Sequence, residues 1–227
     1  HTLSISCSPA QISFAAPLPF NGFVRKGKLI YNDLFTIYPF ENQIYVVRMT
    51  GQEIKDYLEA SYDRWINTVD SPAGHILKIA DRDDARTGQK SWSFIERAYN
   101  FDSAGGLVYT VDVTKPRGSR VDIKSMAGGQ PFDTGKEYKV AMTSYRASGG
   151  GGLMKEAGID TGKIEERIVE TYPEFRDLLY NYLKDNVSID PAVIGDPVRI
   201  GHWEFIPEEI VKPAMEKDME LLFPGRR

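Results

Sequence analysis

The chain has 227 residues, of which 41% are apolar and 26% are charged, ordinary values for a soluble globular protein. Its formal net charge of −4 lacks the basic excess of a duplex-binding surface, although one or two well-placed arginines still suffice for a small anion. A single cysteine, Cys7, excludes an internal disulfide, and the longest apolar runs are too short to span a bilayer.

The first clear element is a strand followed by a helix. Residues 44–49 are rich in Val and Ile, which is typical of a strand. Thr50 and Glu53 then match a capping box, in which each side chain accepts a hydrogen bond from the backbone N–H of the other residue. Apolar residues recur behind it at helical spacing, at Ile54, Tyr57, Leu58 and Trp65. The pattern predicts a helix near 51–66, and the Ser-, Pro- and Ala-rich residues 1–20 predict an extended leading segment.

Three further strands are expected in the middle of the chain. In residues 107–113, Leu, Tyr and Val alternate with mostly polar residues, as in a half-buried strand. Residues 121–123 and 138–143 predict two more strands, separated by the turn sequence Ala-Gly-Gly-Gln-Pro at 127–131. This spacing favours an antiparallel meander of the three strands.

Two helices follow in the C-terminal half. Residues 153–157 predict a short helix that Gly158 closes, and a longer helix is expected to begin just after Pro173. The apolar face of the longer helix carries Phe175, Leu178, Leu179, Tyr182 and Leu183. Strands followed by helices and then strands again indicate an α+β fold, with a mixed, largely antiparallel sheet and packed helices.

The chain is expected to divide into a main domain and an extension. The main domain covers 1–190, and the extension at 191–227 is expected to pack on it. The extension holds Trp203 and an acidic, helix-like stretch at 207–222. The sequence opens on His1 without a basic-then-apolar leader, so we expect a processed protein or a fragment of a longer one.

The residues that metal-dependent hydrolysis requires are scarce. The chain has three histidines, with no HxxxH motif and no cysteine pair, whereas a dinuclear phosphoesterase site needs several His, Asp and Asn ligands. The acidic cluster at 81–84 lacks the closing Glu of a calcium loop, so we expect a solvated, salt-bridged loop there. Because Walker, Rossmann and GxSxG motifs are absent too, the residues indicate a binding domain rather than a self-contained hydrolase.

Two glycine-containing segments carry an aromatic residue at the end of a predicted strand. Residues 99–106 (YNFDSAGG) precede the strand at 107–113, and residues 144–152 (SYRASGGGG) follow the strand at 138–143. Two rings that face each other across a gap can stack on any nucleobase, a contact worth roughly 1–3 kcal/mol per base. The alternative is plain structure, in which the aromatic residues pack in the core and the glycine run is a flexible connector.

Three motifs in order resemble the C-terminal domain of 5′-nucleotidases and 2′,3′-cyclic-nucleotide 2′-phosphodiesterases. Residues 27–44 (GKLIYNDLFTIYPFENQI) and 49–54 (MTGQEI) are similar to the family's PFGN segment, which a strand, LTG and a helix follow. The segments 99–113 and 144–152 fall in the family's order. Any one motif is a weak signal, but the three together are a strong one over roughly residues 13–186.

This resemblance implies a substrate-binding domain whose catalytic partner is an N-terminal metallophosphoesterase domain of the same protein. The partner domain would carry two divalent metal ions, and this chain would carry no cofactor. The domain would hold a nucleotide or nucleoside and present its phosphate to the metals. Family members are exported, which implies a periplasmic, cell-surface or secreted protein without a duplex nucleic acid partner or a membrane span.

The resemblance also carries the family's ligand contacts onto this sequence. The pair of rings that sandwich the base maps to Phe101 and Tyr145, with Tyr99 as the reserve for the first ring. A substrate-binding arginine of the motif Asn-Gly-Gly-x-Arg matches Arg25, which ends the run Asn-Gly-Phe-Val-Arg. The expected substrate-binding residues are Phe101, Tyr145, Arg25, Arg146, Asn100, Tyr99, Gly149 and Gly150.

One departure from the family concerns the phosphate end of the ligand. Many 5′-nucleotidases have Gly-Gly-Asp-Gly after the second aromatic, and Gly151 stands here in place of the substrate-contacting Asp. Arg146 is the expected substitute contact to phosphate, and a solvated arginine is the alternative. The preference among nucleotides is therefore open. A different function also remains open, namely a glycan- or protein-interaction module that reuses the fold, because sugars stack on exposed rings as well.

Overall fold

The computed structural model describes residues 10–17, 23–25, 27–83, 90–185 and 201–225. The strands are β1 (Ile12–Ala15), β2 (Gln43–Thr50), β3 (Ile79–Asp83), β4 (Lys90–Phe94), β5 (Ser103–Gly105), β6 (Leu107–Asp112), β7 (Val121–Met126), β8 (Glu137–Thr143), β9 (Ile168–Glu174) and β10 (Gly201–Ile206). The α-helices are α1 (Asp33–Ile37), α2 (Gly51–Trp65), α3 (Ser144–Ala147), α4 (Leu153–Glu156), α5 (Phe175–Asp185) and α6 (Glu208–Leu222). Short 3-10 turns lie at Ala98–Asn100, Gly150–Gly152 and Thr161–Glu166. This mixture confirms the α+β class.

Helix α2 begins where the capping box predicts. The Thr50 hydroxyl accepts from the Glu53 backbone N–H at 3.2 Å, and the Glu53 carboxylate accepts from the Thr50 N–H at 2.8 Å. The helix ends at Trp65, one residue from the expected boundary. Its fully buried side chains include Ile54, Tyr57, Leu58 and Tyr62. Burial of each large apolar side chain contributes about 1.5–3 kcal/mol, so this face holds α2 in the core.

The strands form two main sheets. The larger sheet has the order β5–β1–β8–β2–β9, in which β1 runs parallel to β8 and every other neighbouring pair is antiparallel. The smaller sheet has the order β10–β6–β7, in which β10 is parallel to β6 and β7 is antiparallel to it. A separate antiparallel hairpin joins β3 to β4. The predicted mixed, largely antiparallel arrangement is confirmed, and it is divided between sheets.

Helix α2 connects the two main sheets. On the larger sheet, the Tyr57 ring stacks on Phe14 of β1, with ring centroids 4.1 Å apart and planes 2° from parallel. On the smaller sheet, the Tyr62 hydroxyl lies 2.9 Å from the hydroxyl of Tyr109 on β6. Two tyrosines on one helix therefore tie it to both sheets.

The predicted meander of three consecutive strands is wrong in one respect. β6 and β7 pair as expected, but β8 lies in the larger sheet between β1 and β2. The alternation in β8 buries Tyr138, Val140 and Met142. Such alternation fixes which face of a strand is buried, and it does not specify the neighbouring strand. The second edge of β6 pairs with β10 instead.

Two other segments differ from the local predictions. The acidic cluster expected to be a loop lies partly on the exposed strand β3, where Asp81 is opposite Trp92 of β4; Asp84 lies outside the described residues. Strand β9 was not predicted, and it contains Pro173. β9 is an edge strand, the position where a sheet tolerates proline. The helix expected just after this proline begins at Phe175.

The described part of the C-terminal extension contributes a strand and a helix. Every residue of β10 is paired with β6. On α6, the buried Asp218 carboxylate lies 2.6 Å from Nδ1 of His75 and accepts from the Leu77 backbone N–H at 2.8 Å. Strand pairing and these polar contacts therefore attach residues 201–225 to the rest of the fold. The expected domain boundary at 190/191 lies outside the described residues.

Candidate functional site

The two aromatic-glycine segments meet at one end of the larger sheet. β5 is antiparallel to β1, and β1 is parallel to β8, so the start of β5 and the end of β8 lie at the same end. Residues 99–102 enter β5 there through a 3-10 turn, and residues 144–152 leave β8 through the short helix α3. The Thr143 hydroxyl caps α3 by accepting from the Arg146 backbone N–H at 3.3 Å. The topology thus brings together two segments that are more than 40 residues apart in sequence.

The guanidinium of Arg146 joins the two segments. It donates to both carboxylate oxygens of Asp102, from Nε at 2.9 Å and from Nη2 at 2.7 Å. Nη2 also donates to the Tyr99 carbonyl at 2.8 Å. Nη1 donates to the Gly150 carbonyl at 2.7 Å and to Oδ1 of Asn100 at 3.5 Å. The Arg146 side chain therefore binds three residues of the first segment and one residue of the second segment, to which Arg146 itself belongs.

The alternative of a solvated Arg146 is wrong, and the expected contact of Arg146 to phosphate stays a prediction. Its side chain is only 4% exposed, and its five hydrogen bonds match the five N–H donors of a guanidinium. Burial by itself lowers the pKa of Arg146, but the neighbouring Tyr57 and Asp102 outweigh that effect and leave the pKa raised. Arg146 is thus a charged residue whose donors are already satisfied within the protein.

The Asp102 carboxylate has a second buried partner on helix α2. The Tyr57 hydroxyl donates a short hydrogen bond to Oδ2 of Asp102, and the Ser61 hydroxyl donates to the Asp102 backbone carbonyl at 2.7 Å. Burial, together with the charge of Asp102, raises the pKa of Tyr57 well above its ordinary value. Tyr57 therefore stays protonated and remains a hydrogen-bond donor at every physiological pH.

Phe101 lies in the core, which contradicts its expected place in a ligand slot. Its side chain is 0% exposed and stacks on Trp65, with ring centroids 5.2 Å apart and planes 7° from parallel. The edge of Phe94 contacts the same ring at 5.7 Å. The alternative of core packing, weighed from the sequence, holds for this ring. Phe101 directly follows the 3-10 turn at Ala98–Asn100, and its ring packs on Trp65 of α2.

Tyr145 is the exposed ring of the site, with 43% of its side chain accessible. Its ring packs against Gly150, where an added Cβ would lie 2.5 Å from the ring. The guanidinium carbon of Arg146 lies 5.5 Å from the centre of the Tyr145 ring. The ring is therefore supported by the protein while remaining open to solvent, as a stacking platform requires.

Tyr99 is half-buried and has an exposed aromatic neighbour. The Phe40 ring meets the Tyr99 ring edge-on, with centroids 5.8 Å apart. Phe40 is itself exposed, and its backbone carbonyl accepts from Arg176 at 2.9 Å. Sequence reasoning used Phe40 only as part of a family signature and missed it as a neighbour of the site. The signal that could have found it is the run Tyr-Pro-Phe-Glu-Asn, which ends just before β2.

The glycine run packs closely against the Arg146 network. Gly149 and Gly151 have φ angles of +94° and +73°, a region that side chains rarely adopt. A Cβ on Gly151 would overlap Nη1 of Arg146 and lie 2.6 Å from Oδ1 of Asn100. Glycine at 151 is thus required by the neighbouring arginine. The expected ligand contacts of Asn100, Gly149 and Gly150 remain predictions.

The remaining expected contact, Arg25, makes no recorded contact with the described residues of this network. It is exposed on the short described segment 23–25, and the structure records no hydrogen bond or ion pair between it and another described residue. The preceding Asn21 and Gly22 lie outside the described ranges. The structure therefore joins Tyr99, Asn100, Arg146 and Gly150 by direct contacts, and Arg25 is not among them.

Two further properties concern metals and membranes. Within the described ranges, no group of three or more His, Cys, Asp or Glu side chains is placed to hold a metal ion. Among the helices of the described residues, none combines the length and the apolar character needed to cross a bilayer.

The fold and its aromatic loops define a class of domain, an α+β unit with mixed sheets that presents aromatic residues beside a glycine run. The family model of the 5′-nucleotidase C-terminal domain matches residues 6–157. Since this match covers more than half of the chain, the chain belongs to the 5′-nucleotidase C-terminal domain family.

Two curated relatives extend the comparison beyond the family match. The chain is 28% identical over 219 residues to the trifunctional nucleotide phosphoesterase protein YfkN of Bacillus subtilis, covering 89% of this chain and 14% of that protein. It is 30% identical over 198 residues to a 2′,3′-cyclic-nucleotide 2′-phosphodiesterase/3′-nucleotidase of Haemophilus influenzae, covering 81% of this chain and 26% of that protein. The chain thus spans about a quarter or less of the length of these relatives.

Solved structures show the same fold. A proposed 5′-nucleotidase from Staphylococcus aureus superposes with a TM-score of 0.61 at 24% identity, covering 86% of this chain and 33% of that one. A 5′-nucleotidase precursor from Thermus thermophilus superposes with a TM-score of 0.52 at 19% identity, covering 88% of this chain and 32% of that one. At these identities the likeness concerns the fold alone.

Proposed function

We propose that this chain is the nucleotide-binding domain of a two-domain nucleotide phosphoesterase, and that the base stacks on Tyr145 with Tyr99 as the second ring. The observation that carries the proposal is the shared guanidinium of Arg146. It binds the Tyr99 carbonyl at 2.8 Å and lies 5.5 Å from the Tyr145 ring centre. Tyr99 replaces Phe101 in the proposed pair because Phe101 is fully buried.

The catalytic metals belong, in this proposal, to a metallophosphoesterase domain elsewhere in a longer protein. The curated relatives named above are nucleotide phosphoesterases, and this chain spans 14% and 26% of their lengths. Two divalent ions in that domain would activate water and stabilise charge on the phosphate. This chain would bring the base, and with it the phosphate, to those ions. The whole protein acts outside the cytoplasm in this scheme, in the periplasm, at the cell surface or as a secreted enzyme.

Cyclic nucleotides are the first ligands to test. The Haemophilus relative is named as acting on 2′,3′-cyclic nucleotides, and Gly151 stands where many 5′-nucleotidases have Asp. Stacking tolerates any base, because every base has a π-face. We therefore expect weak binding across purines and pyrimidines, with 2′,3′-cyclic AMP bound at least as well as AMP.

The test is a ¹H–¹⁵N NMR titration of this chain with 2′,3′-cyclic AMP and with AMP. The amides of Gly149, Gly150 and Tyr145 should shift in a saturable way. The Tyr145→Ala variant should lose this response, and the Tyr180→Ala variant should keep it. Tyr180 is a matched control, since its side chain is 42% exposed on a different helix, α5.

Two results would contradict the proposal. The first is that neither nucleotide shifts these amides at millimolar concentration. The second is that Tyr145→Ala and Tyr180→Ala bind nucleotide equally well. A response to methyl glucoside without any response to nucleotide would instead favour a glycan-binding module on this fold.

A further inference from the structure

We infer that Tyr57, a core residue of helix α2, is a positioning residue for the proposed nucleotide site. Its hydroxyl fixes the Asp102 carboxylate, and through Asp102 it fixes the Arg146 guanidinium that joins the two ring-bearing segments. Tyr57 itself is fully buried and cannot touch a ligand. The inference rests on the proposed function, because the spacing it concerns is that of Tyr99 and Tyr145.

The two segments have no backbone hydrogen bonds to each other among the described residues. Every recorded hydrogen bond between residues 98–102 and 144–152 is donated by the Arg146 guanidinium. The segments contain little regular structure, with a 3-10 turn on one side and the four-residue helix α3 followed by a glycine run on the other. Their relative placement therefore depends on where that guanidinium is held.

The Arg146–Asp102 pair needs an anchor, because Asp102 follows a 3-10 turn and Arg146 lies on a helix of only four residues. The fork of two hydrogen bonds fixes the guanidinium relative to the carboxylate, but it does not fix the pair relative to the core. Helix α2 supplies the anchor through two side chains one turn apart. The Tyr57 hydroxyl holds Oδ2 of Asp102, and the Ser61 hydroxyl holds its backbone carbonyl.

The hydroxyl of Tyr57 is itself held in place by packing. Its ring lies flat on Phe14 of β1, with planes 2° apart, and the side chain is 0% exposed. Such a ring cannot swing to another position in a close-packed interior. The position of the Asp102 oxygen is thus set by the contact between α2 and the larger sheet.

The test compares Tyr57→Phe with Tyr62→Phe. Both substitutions remove one buried hydroxyl from the same helix and keep the ring, but the Tyr62 hydroxyl contacts Tyr109 rather than Asp102. Two quantities are measured in each variant by NMR: the Kd for 2′,3′-cyclic AMP, and the hydrogen-exchange rate of the Arg146 Nε–H. Arg146 is assigned through Arg146→Lys, which lacks that resonance.

The expected result is specific to Tyr57. Tyr57→Phe should weaken binding about tenfold and speed exchange of the Arg146 Nε–H by a similar factor, because a hydrogen bond to a charged group is lost. Tyr62→Phe should change each quantity by less than about twofold, whatever its effect on global stability. Equal changes in the two variants, or an unchanged Arg146 Nε–H in Tyr57→Phe, would overturn the inference.

The same measurements distinguish failure of the proposed function from failure of the positioning inference. If the unmodified chain binds no nucleotide, the proposed function is wrong. The coupling of Tyr57 to Arg146 is then decided by the exchange rate of the Nε–H alone, which requires no ligand. If the unmodified chain binds nucleotide and Tyr57→Phe binds equally well, the positioning inference is wrong and the proposed function stands.

Discussion

Arg146 and Asp102 form a doubly hydrogen-bonded ion pair in which both side chains are 4% exposed. Removal of one partner from such a pair strongly destabilises the folded protein, since the other partner is left as an unpaired buried charge. The pair also links two segments of the proposed site, so its loss affects both stability and the surface where Tyr145 lies.

The first prediction concerns Arg146→Met. Removal of the guanidinium leaves the Asp102 carboxylate buried without its partner, and we expect the free energy of unfolding to fall by about 3–5 kcal/mol. Arg117→Met is the control, because Arg117 is 40% exposed and pairs with Glu156 at the surface. The control should cost less than about 1 kcal/mol. Urea denaturation measures the free energy of unfolding of both variants. Similar losses in the two would contradict the claim that the buried pair of Arg146 contributes more to stability than the surface pair of Arg117.

The second prediction concerns Gly151→Ala. An alanine at 151 would adopt an unfavourable φ of +73° and also overlap the Arg146 guanidinium, so we expect a loss of about 2–4 kcal/mol. Gly118→Ala is the control, with a φ of +92° and no atom within 4 Å of the added Cβ. The free energy of unfolding of Gly118→Ala should fall by only about 1 kcal/mol, because the unfavourable backbone conformation is then the sole cost. Thermal unfolding of the two variants tests whether the difference exists.

The third prediction concerns alkaline pH. Burial raises the pKa of Tyr109 from 10.0 to about 12. Because the folded-state pKa is the higher one, the stabilisation from this neutral hydroxyl is complete below pH 10 and is lost as the pH rises through about 12. The free energy of unfolding, measured in urea, should therefore fall across this interval. The fall should be shallower in Tyr109→Phe than in the unmodified protein. In Tyr180→Phe, which changes an exposed tyrosine, it should be as steep as in the unmodified protein.

The fourth prediction concerns the attachment of helix α6. Asp218→Ala removes the acceptor of the Leu77 backbone N–H and the partner of His75, and we expect a loss of about 1–3 kcal/mol. Glu216→Ala on the same helix is the control, because Glu216 is exposed. Hydrogen exchange of the α6 amides should speed up in the first variant only. Equal protection of α6 in both variants would show that the buried carboxylate does not hold the helix.

The sequence predicted best those elements whose signals are local. Helix α2 needed only a capping box and apolar spacing, both contained in residues 50–65. The neighbour of β8 could not be predicted this way, because alternation specifies a face and not a partner strand. The burial of Phe101 was also beyond the reach of local signals, because it depends on packing against Trp65, which lies on a distant helix.

The placement of Arg146 required information that lies far away in the chain. Its partner Asp102 is 44 residues earlier, and nothing around either residue indicates the pairing. In the sequence, Arg146 stands between an aromatic residue and a glycine run, a context that would also suit a phosphate contact. Only the return of β8 beside β1 brings the carboxylate to it.

The pairing of β9 with β2 and of β10 with β6 has a practical consequence for the expression of shortened versions of this chain. A fragment that stops at residue 157, where the family match ends, would omit β9 and β10. β2 and β6 would each then present a row of unsatisfied backbone amides and carbonyls to solvent. We expect such a shortened polypeptide to self-associate or precipitate even though it retains all three family motifs, whereas one that retains residues up to 225 should stay monodisperse at the same concentration.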